Sequence, residues 1–427
     1  MELYVLFGSF AFLLVVGVPV AFSLGIASLA TVVYLGIPPL VVFQRMAAGM
    51  NVFALMAIPF FIYSGEVMRY GAIAERLVRL AAGLVGHRRG GLGLVNIMAS
   101  VFFGGVSGSA VADASAVGAI MIPQMEKRGY DKDYSVNITV TAAIIALLIP
   151  PSHNMIIYSI SAGGTISIAD LFTAGILPGL LLAVLLMLAS TYVAYRKGYP
   201  AEPFPGAKKL VHIFFDALPG LFLVLIIVGG VRSGFFTATE SSVIAVVYAM
   251  LVTLLAYRSL DWATFTKSTV GAVRTTAMVL MVIGAASAFG WLLALLQVPQ
   301  AMINAMQSVS NNPYVIFMLL NVILLFLGCF MDMAPLIIIC TPIFLPVVKA
   351  FGMDPVHFGT ILILNLGIGL CTPPVGSVLF VGCAVGEIPI MKAVKTIWPF
   401  YGACFVALML VTYFPQISLF LPQLLGR

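Results

Sequence analysis

Two broken apolar segments, 223 residues apart, constrain this chain more than any other feature. Each contains an adjacent proline pair, Pro150-Pro151 in the first and Pro373-Pro374 in the second. Such a pair interrupts a helix, because two N–H donors are missing and the rings clash with preceding carbonyls. Gly105, Gly129 and Asp131 also have identical residues 223 positions later. The chain is therefore predicted to contain two copies of one structural repeat.

The composition excludes a water-soluble fold. Of the 427 residues, 62% are hydrophobic and 8% are charged, and the mean hydropathy is +1.14. Soluble domains carry about 25% charged residues. Apolar runs of about 20 residues recur along the chain, and strand-like alternation is absent from the sequence. The predicted fold class is an all-α polytopic membrane protein.

Nine apolar stretches have the length of membrane spans, and two more are longer. The single spans are expected at 4–34, 51–68, 135–158, 168–195, 210–230, 237–256, 275–296, 357–385 and 397–421. The longer stretches, 92–125 and 313–348, are interrupted by Gly, Ser or Pro. About 34 residues are too few for two full spans and a turn. Both are therefore predicted to be re-entrant hairpins.

The distribution of Lys and Arg orients the two hairpins. Basic residues flank the first hairpin on both sides, in 69–90 and 126–133, which indicates the cytoplasmic face. The second hairpin is flanked by 297–312, which has no Lys or Arg, and by 349–356, which has only Lys349. The two copies are thus expected to enter the membrane from opposite faces, as an inverted-topology repeat with the site at the repeat interface.

This pattern divides the chain into two repeats and a connector. The first repeat is predicted at 1–209, with a scaffold arm at 1–90, a hairpin and broken helix at 91–160 and a closing helix at 168–195. The connector helix is 210–236. The second repeat is predicted at 237–427, with a scaffold arm at 237–296, a hairpin and broken helix at 313–385 and a closing helix at 397–421. Alternating Arg and aliphatic residues in 69–90 predict a helix along the cytoplasmic interface.

A broken span beside a hairpin tip predicts a cage of oxygen ligands. Irregular backbone at membrane depth is tolerated where it is buried or lines a cavity, and it frees carbonyl groups. Oxygen ligands without a cluster of carboxylates or imidazoles suit a small hard cation, and Na⁺ is the expected ion, with no transition metal. The predicted Na⁺ ligands are Ser107, Ser109, Pro150 and Asn154 in the first repeat, and Gly328, Asp332, Met333, Thr372, Pro373 and Gly376 in the second. The alternative interpretation is that these Ser and Gly residues only permit close packing of helices.

Charged groups at membrane depth are functional hypotheses by default. Four carboxylates fall there, Asp113 and Asp332 on the hairpins and Glu66 and Glu240 near span ends. The predicted substrate contacts are Asp113, Ser109, Ser152 and Ser377. His153 in the first break leaves a proton-coupling role open. Arg232 and Arg274 are candidates for attracting an anionic substrate, and Arg274 also fits a cytoplasmic anchor.

An intramembrane serine protease is the enzymatic alternative. Gly105-Val106-Ser107-Gly108 matches the GxSG pattern of rhomboid-type proteases, and His153 follows on a later span. A protease does not need the second copy, whose matching positions are Phe330 and Gly376. Catalysis is therefore not expected. The five cysteines lie in apolar stretches without CxxC spacing and are expected to be buried small hydrophobes.

Four separated motifs resemble the large membrane subunit of tripartite ATP-independent periplasmic (TRAP) transporters. They are Gly104 to Ala110 with Asp113, the Ile149 to Ser152 break, Gly234 to Glu240, and Thr372 to Gly376. The resemblance covers essentially the whole chain. It implies an elevator-type secondary transporter in the bacterial inner membrane, coupled to Na⁺, whose cation sites use the two hairpin tips and the two breaks.

The resemblance also implies partners and a substrate class. Family members work with a small four-helix membrane subunit and with a periplasmic binding protein that delivers carboxylates such as C4-dicarboxylates or sialic acids. The first span starts by residue 4, so the small subunit is expected to be a separate chain. A stand-alone Na⁺/dicarboxylate symporter with a related inverted-repeat fold is the competing interpretation. An ion channel fits the hairpins but not the lack of a continuous polar pore lining.

Overall fold

The computed structural model describes residues 1–426 and is almost entirely helical. Within that range the one extended pairing is an isolated bridge between Arg89 and Ala201. The all-α prediction is confirmed. The α-helices of this range are α1 (Glu2–Val15), α2 (Val20–Tyr34), α3 (Leu40–Met50), α4 (Ala57–Tyr70), α5 (Ile73–Val85), α6 (Gly91–Ser107), α7 (Ala110–Lys127), α8 (Lys132–Ala142), α9 (Ile145–Leu148), α10 (His153–Ser161), α11 (Ile168–Lys197), α12 (Ala207–Arg232), α13 (Ala238–Leu251), α14 (Trp262–Leu295), α15 (Val298–Val309), α16 (Pro313–Gly328), α17 (Met333–Ala350), α18 (Pro355–Gly369), α19 (Ser377–Val385), α20 (Ile390–Thr396), α21 (Trp398–Tyr413) and α22 (Gln416–Leu424). A 3₁₀ helix covers Phe53–Met56, and a π-helix, Val252–Ala256, extends α13.

Several of these helices have the length and apolarity of membrane spans. In the described part of the chain, five pass this test alone: α11, α12, α13 with its π-helical extension, α14 and α17. Four pairs of helices reach the same length together but bend by more than 40° at a short break. A helix needs about 20 apolar residues to cross the hydrocarbon core of a bilayer. The chain is a multi-pass membrane protein.

Each segment predicted as a hairpin forms two helices joined by a short turn, while their re-entrant course through the membrane stays a prediction. α6 and α7 pack against each other and meet at Gly108 and Ser109. α16 and α17 meet across the four residues 329–332. Gly108 has a φ of +58°, a left-handed conformation that glycine adopts without steric cost. Glycine at this position therefore allows the sharp turn of the first tip.

Both proline pairs interrupt helices, as predicted. α9 ends at Leu148 and α10 begins at His153, with a bend of 52° between the two parts of the span. α18 ends at Gly369 and α19 begins at Ser377. The Pro-Pro bond is cis in each break. Each interruption creates a helix end and a helix start, whose terminal backbone groups have no partner inside the helix.

Helix bounds recur at the 223-residue offset. Subtracting 223 from Met333–Ala350 gives 110–127, the bounds of α7. The same subtraction from Ser377–Val385 gives 154–162, one residue from the bounds of α10. The two halves of the chain thus share one helical plan around the hairpin and the break. Their orientation relative to the membrane stays a prediction.

The arms of the two halves pack against each other. α4 lies against α13 and α14, and α14 also lies against α2 and α3. The helix expected in 69–90 is α5, which buries Ile73, Leu77 and Leu80. It packs against α6 and α12, so it joins the first arm to the first hairpin.

The predicted span at 4–34 is wrong. It consists of two helices that pack against each other, α1 and α2. Gly17 has a φ of +89° and Pro19 stands immediately before α2. A left-handed glycine followed by proline ends a helix, although hydropathy alone runs on through the turn.

The starts of two further predicted spans are also wrong. The segment 51–68 begins its helix at Ala57, after α3 and the 3₁₀ helix, with a 63° bend. The segment 275–296 belongs to the 34-residue α14, which begins at Trp262. Lys267 and Arg274 are therefore helical and exposed rather than part of a loop. Charged residues lower the local hydropathy without ending the helix.

Candidate cation and substrate site

The tip of the first hairpin packs directly onto the first break. A Cβ atom built on Gly104 would lie 2.7 Å from the Cα of Ala146, and one on Gly108 would lie 2.6 Å from the carbonyl oxygen of Pro151. Real side chains do not approach backbone atoms this closely, so only glycine permits the contact. These glycines bring the hydroxyls of the tip next to the carbonyls of the break.

Three buried oxygen atoms around this contact have no hydrogen-bond partner. They are Ser107 Oγ at the tip, Ser152 Oγ in the break and Asp113 Oδ1 one turn further along α7. The other carboxylate oxygen of Asp113 accepts a hydrogen bond from Ser100 Oγ at 2.7 Å. Buried polar groups in folded proteins are nearly always paired. Because these three oxygens lie around one contact between a tip and a break, they are available together to a ligand that oxygen atoms bind.

The second hairpin packs onto the second break in the same way. A Cβ atom built on Gly369 would lie 2.6 Å from the Cα of Gly328. The backbone N–H of Val375 donates to the carbonyl oxygen of Cys329 at 3.0 Å. The tip of α16–α17 and the break after α18 are thus in direct contact.

The two helices that leave the tips begin with polar N-caps. Ser109 Oγ accepts from the backbone N–H of Ala112 at 3.4 Å, at the start of α7. Asp332 Oδ1 accepts from the backbone N–H of Met333 at 2.9 Å, at the start of α17. The positive end of a helix dipole stabilises a carboxylate there. Asp332 is therefore held at the tip by its own helix.

Thr372, Gly376 and Ser377 complete the second break. Thr372 Oγ1 donates to the carbonyl oxygen of Ile368 at 2.8 Å. Gly376 is the left-handed N-cap of α19, with a φ of +32°. The Ser377 hydroxyl is buried and has no hydrogen-bond partner.

A cavity of about 910 Å³ joins the two tips. Five of the predicted site residues line it: Ser107, Ser109, Asn154, Asp332 and Met333. Asp113 and Ser152, predicted to contact the substrate, have no exposed surface and lie behind the wall. The remaining predicted residues lie in the hairpin and break segments without lining the cavity, namely Pro150, Gly328, Thr372, Pro373, Gly376 and Ser377.

Two charged residues of the cavity wall come from the first arm and were not predicted as a pair. Arg69 Nη2 donates to Ser115 Oγ on α7 at 2.7 Å, and Arg69 Nη1 lies 3.7 Å from Glu66 Oε1. From the sequence, Arg69 is predicted to be one of the basic residues of 69–90 at the cytoplasmic face. The pair could have been predicted from its spacing, because Glu66 and Arg69 are three residues apart and therefore lie on one face of an apolar helix.

The other charged candidates do not reach the cavity. Arg232 donates to Asp170 Oδ1 at 2.7 Å and to the carbonyl oxygen of Pro422 at 3.2 Å, so it joins α12 to α11 and α22. Glu240 forms an exposed capping box with Thr237 at the start of α13. Both residues stabilise helix ends or helix contacts.

The site chemistry differs from that of a metalloprotein or a serine protease. Within residues 1–426, no group of three or more His, Cys, Asp or Glu side chains is placed to hold a metal ion. The five cysteines are buried and unpaired. His153 lines the cavity, but Ser107 Oγ accepts and donates no hydrogen bond. A nucleophilic serine requires a hydrogen-bonded base, so the two residues do not form a dyad here.

Comparison with known proteins relates the sequence to a transporter family. Residues 7–417 match the family described as tripartite ATP-independent periplasmic transporter, DctM component. The chain is 46% identical over 424 residues to an uncharacterized protein, YgiK, of Salmonella typhimurium, which covers 98% of this chain and 97% of that protein.

Two further relatives carry functional names. The chain is 38% identical to the sialic acid TRAP transporter large permease protein SiaM of Vibrio cholerae, over 96% of both chains. It is 33% identical to the C4-dicarboxylate TRAP transporter large permease protein DctM of Rhodobacter capsulatus, over 100% of both chains. Among solved structures, the fold resembles the YdaH transporter of Alcanivorax borkumensis, with a TM-score of 0.63 at 13% identity over 90% of this chain and 89% of that one. At that identity the likeness concerns the fold alone.

Proposed function

Because this chain belongs to the DctM component family of tripartite ATP-independent periplasmic transporters, we propose that it couples Na⁺ entry to the uptake of a small organic acid. It is a subunit of a transporter and not an enzyme. The observation that carries the proposal is the contact of each hairpin tip with a broken helix. At the first contact this leaves Ser107 Oγ and Ser152 Oγ buried and unpaired.

The donor set favours a monovalent cation. In the first half, Ser107, Ser109, Asn154 and the carbonyls around Pro150 offer neutral oxygens, with Asp113 behind them. In the second half, Asp332 contributes a single carboxylate beside neutral oxygens of the tip and the break. Ca²⁺ sites gather several carboxylates. A site with one carboxylate or none therefore suits Na⁺ better than a divalent ion.

The cavity and the relatives support an organic acid as the substrate. The relatives' names specify a sialic acid and C4-dicarboxylates, which share carboxylate groups. A volume of about 910 Å³ lies within the range of about 300–1,000 Å³ that small-molecule pockets occupy. Na⁺ held at the two tips would offset the negative charge of such a substrate.

The packing supports an elevator mechanism. The hairpins and breaks contact each other across the two halves, since α7 packs on α19 and α10 packs on α17. The arms pack among themselves through α4, α13 and α14. We take the hairpins and breaks as the moving unit and the arms as the scaffold. The partners proposed are a small membrane subunit on a separate chain and a periplasmic binding protein, in the bacterial inner membrane.

Reconstitution into liposomes tests this proposal. The chain is purified with and without a small membrane subunit and a binding protein, and uptake of labelled N-acetylneuraminate and succinate is measured with an inward Na⁺ gradient. We expect saturable uptake when all three components are present. Uptake by this chain alone would favour the stand-alone symporter, and non-saturating ion flux would indicate a channel.

A further inference from the structure

Arg69 has more hydrogen-bonding capacity than its neighbours use. A guanidinium group carries five N–H donors. Within residues 1–426, one donor of Arg69 forms a hydrogen bond to another side chain, the bond from Nη2 to Ser115 Oγ at 2.7 Å. Glu66 Oε1 lies 3.7 Å from Arg69 Nη1, which makes an ion pair but is beyond hydrogen-bond distance, so this contact uses none of the N–H donors. The side chain of Arg69 is 28% exposed and lies beside the ring of Tyr70, 5.1 Å from its centroid.

Among the described residues that line the cavity, the Lys or Arg side chain is Arg69, and the acidic side chains are Glu66 and Asp332. Nearby basic residues are engaged elsewhere. Arg76 bonds Asp216 at 3.1 Å, and Arg79 pairs with Glu75 at 3.3 Å on the exposed face of α5. An anion that enters the cavity therefore meets Arg69 as the Lys or Arg side chain of the described wall, with N–H donors that no other side chain uses.

We propose that Arg69 binds a carboxylate group of the transported acid, replacing its bond to Ser115 with a two-pronged contact. This inference rests on the proposed function and assigns a side chain to its substrate. A planar guanidinium matches a carboxylate through two parallel hydrogen bonds, which are stronger than a bond to a neutral hydroxyl. Exchange of the Ser115 hydroxyl for the substrate is therefore favourable.

The contact also links the arm to the hairpin unit, because Arg69 ends α4 and Ser115 belongs to α7. If the hairpins move against the arms, the carboxylate meets Arg69 in only part of the cycle. Arg69 is thus a specificity residue for loading or release, separate from the proposed Na⁺ ligands.

Equilibrium binding to the purified membrane complex in nanodiscs tests this role. The probes are N-acetylneuraminate, its methyl ester and succinate, each titrated in NaCl. The reference probe is whichever free acid, N-acetylneuraminate or succinate, the wild type binds more tightly. For Arg69→Gln we expect the affinity for that acid to fall about tenfold or more. Affinity for the methyl ester should change little. Arg69→Lys should recover part of the loss, and the matched control Arg79→Gln should bind as the wild type does.

Two results would overturn the inference: wild-type affinity in Arg69→Gln, or equal losses for the acid and its ester, which would indicate a structural defect. The wild type binding neither free acid in NaCl would instead contradict the proposed function itself. Na⁺-dependent thermal stabilisation without substrate should be unchanged in Arg69→Gln, and its loss would also count against a role confined to the substrate.

Discussion

Ser109 and Asp332 occupy the same place in the two hairpins, each as the N-cap of the helix that leaves the tip, and Asp332 lies 223 positions after Ser109. Both line the cavity. The N-cap position is thus repeated, although two residues separate the helices at the first tip and four at the second. A neutral hydroxyl occupies this position in one copy and a carboxylate in the other, so the two tips offer a cation different charges.

This difference predicts unequal effects of substitution on Na⁺ binding. Asp332→Asn removes a negative charge at the tip, so it should weaken Na⁺-dependent thermal stabilisation more than Ser109→Ala does. The measurement compares melting temperatures in NaCl and KCl. Asp261→Asn is the matched control, because Asp261 caps α14 through Thr264 at 2.7 Å but lies outside the cavity wall. Equal Na⁺ protection of Asp332→Asn and the wild type would contradict the assignment.

The glycine contact at the second break predicts a loss of stability. In Gly369→Ala the new Cβ would lie 2.6 Å from the Cα of Gly328, which is backbone and cannot rotate away. Overpacking of this kind costs about 1–3 kcal/mol. Gly290→Ala in α14 meets nothing within 4 Å and should be neutral or stabilising by up to about 1 kcal/mol. Thermal unfolding of both variants measures the difference, and similar melting temperatures would mean that the two segments are not in contact.

The buried carboxylate of Asp113 predicts a transport defect without an assembly defect. Asp113→Ala removes the acceptor of the Ser100 hydroxyl and one of the unpaired oxygens, and it should abolish uptake. Asp113→Asn keeps an acceptor for Ser100 and tests the charge alone, so it should also be strongly impaired. Size-exclusion chromatography checks assembly and liposome uptake checks transport. Normal uptake by Asp113→Ala would remove Asp113 from the site.

A surface ion pair predicts a pH-dependent contribution to stability. Lys197 and Tyr199 donate to Asp131 at 2.5 and 2.8 Å, and these bonds hold the pKa of its carboxyl below the ordinary 3.8. A lowered folded-state pKa stabilises the fold above the unfolded-state pKa, and this contribution is lost as the pH falls through the folded value. Since the side chain is 52% exposed, the effect is under about 1 kcal/mol.

Asp131→Asn should therefore melt slightly below the wild type at pH 7, and the gap should narrow as the pH falls below the ordinary carboxyl pKa of 3.8. Thermal unfolding from pH 7 into this acidic range measures the difference. A gap of constant size throughout would show that the charge of Asp131 does not contribute.

The hairpins and the breaks were predictable because their causes are local. Single prolines lie inside helices here, as Pro123 does in α7 and Pro178 in α11. An adjacent pair removes two N–H donors in succession, so the interruptions at Pro150 and Pro373 follow from the sequence. Gly108 takes the left-handed conformation that a tight turn requires. The 223-residue offset between the copies is also visible in the sequence.

The role of the arms depends on contacts that are distant in sequence. Arg69 marks the end of an apolar run, which by itself predicts an anchor at the membrane surface. Its place in the cavity results from the packing of α4 near α7, where Ser115 lies 46 positions later. The buried bonds from Asn365 to Asn321, at 2.8 Å, and from Asn321 to Thr412, at 2.9 Å, likewise join helices that no local pattern connects.

Cation dependence of acid uptake tests the coupling most directly. Liposomes with the complete three-component transporter are given an inward gradient of Na⁺, of K⁺ or of protons, and accumulation of the labelled acid is followed. We expect the acid to accumulate with the Na⁺ gradient and not with the K⁺ or proton gradient, and we expect this accumulation to be lost in Asp332→Asn. Equal accumulation with a proton gradient in the absence of Na⁺ would contradict this expectation.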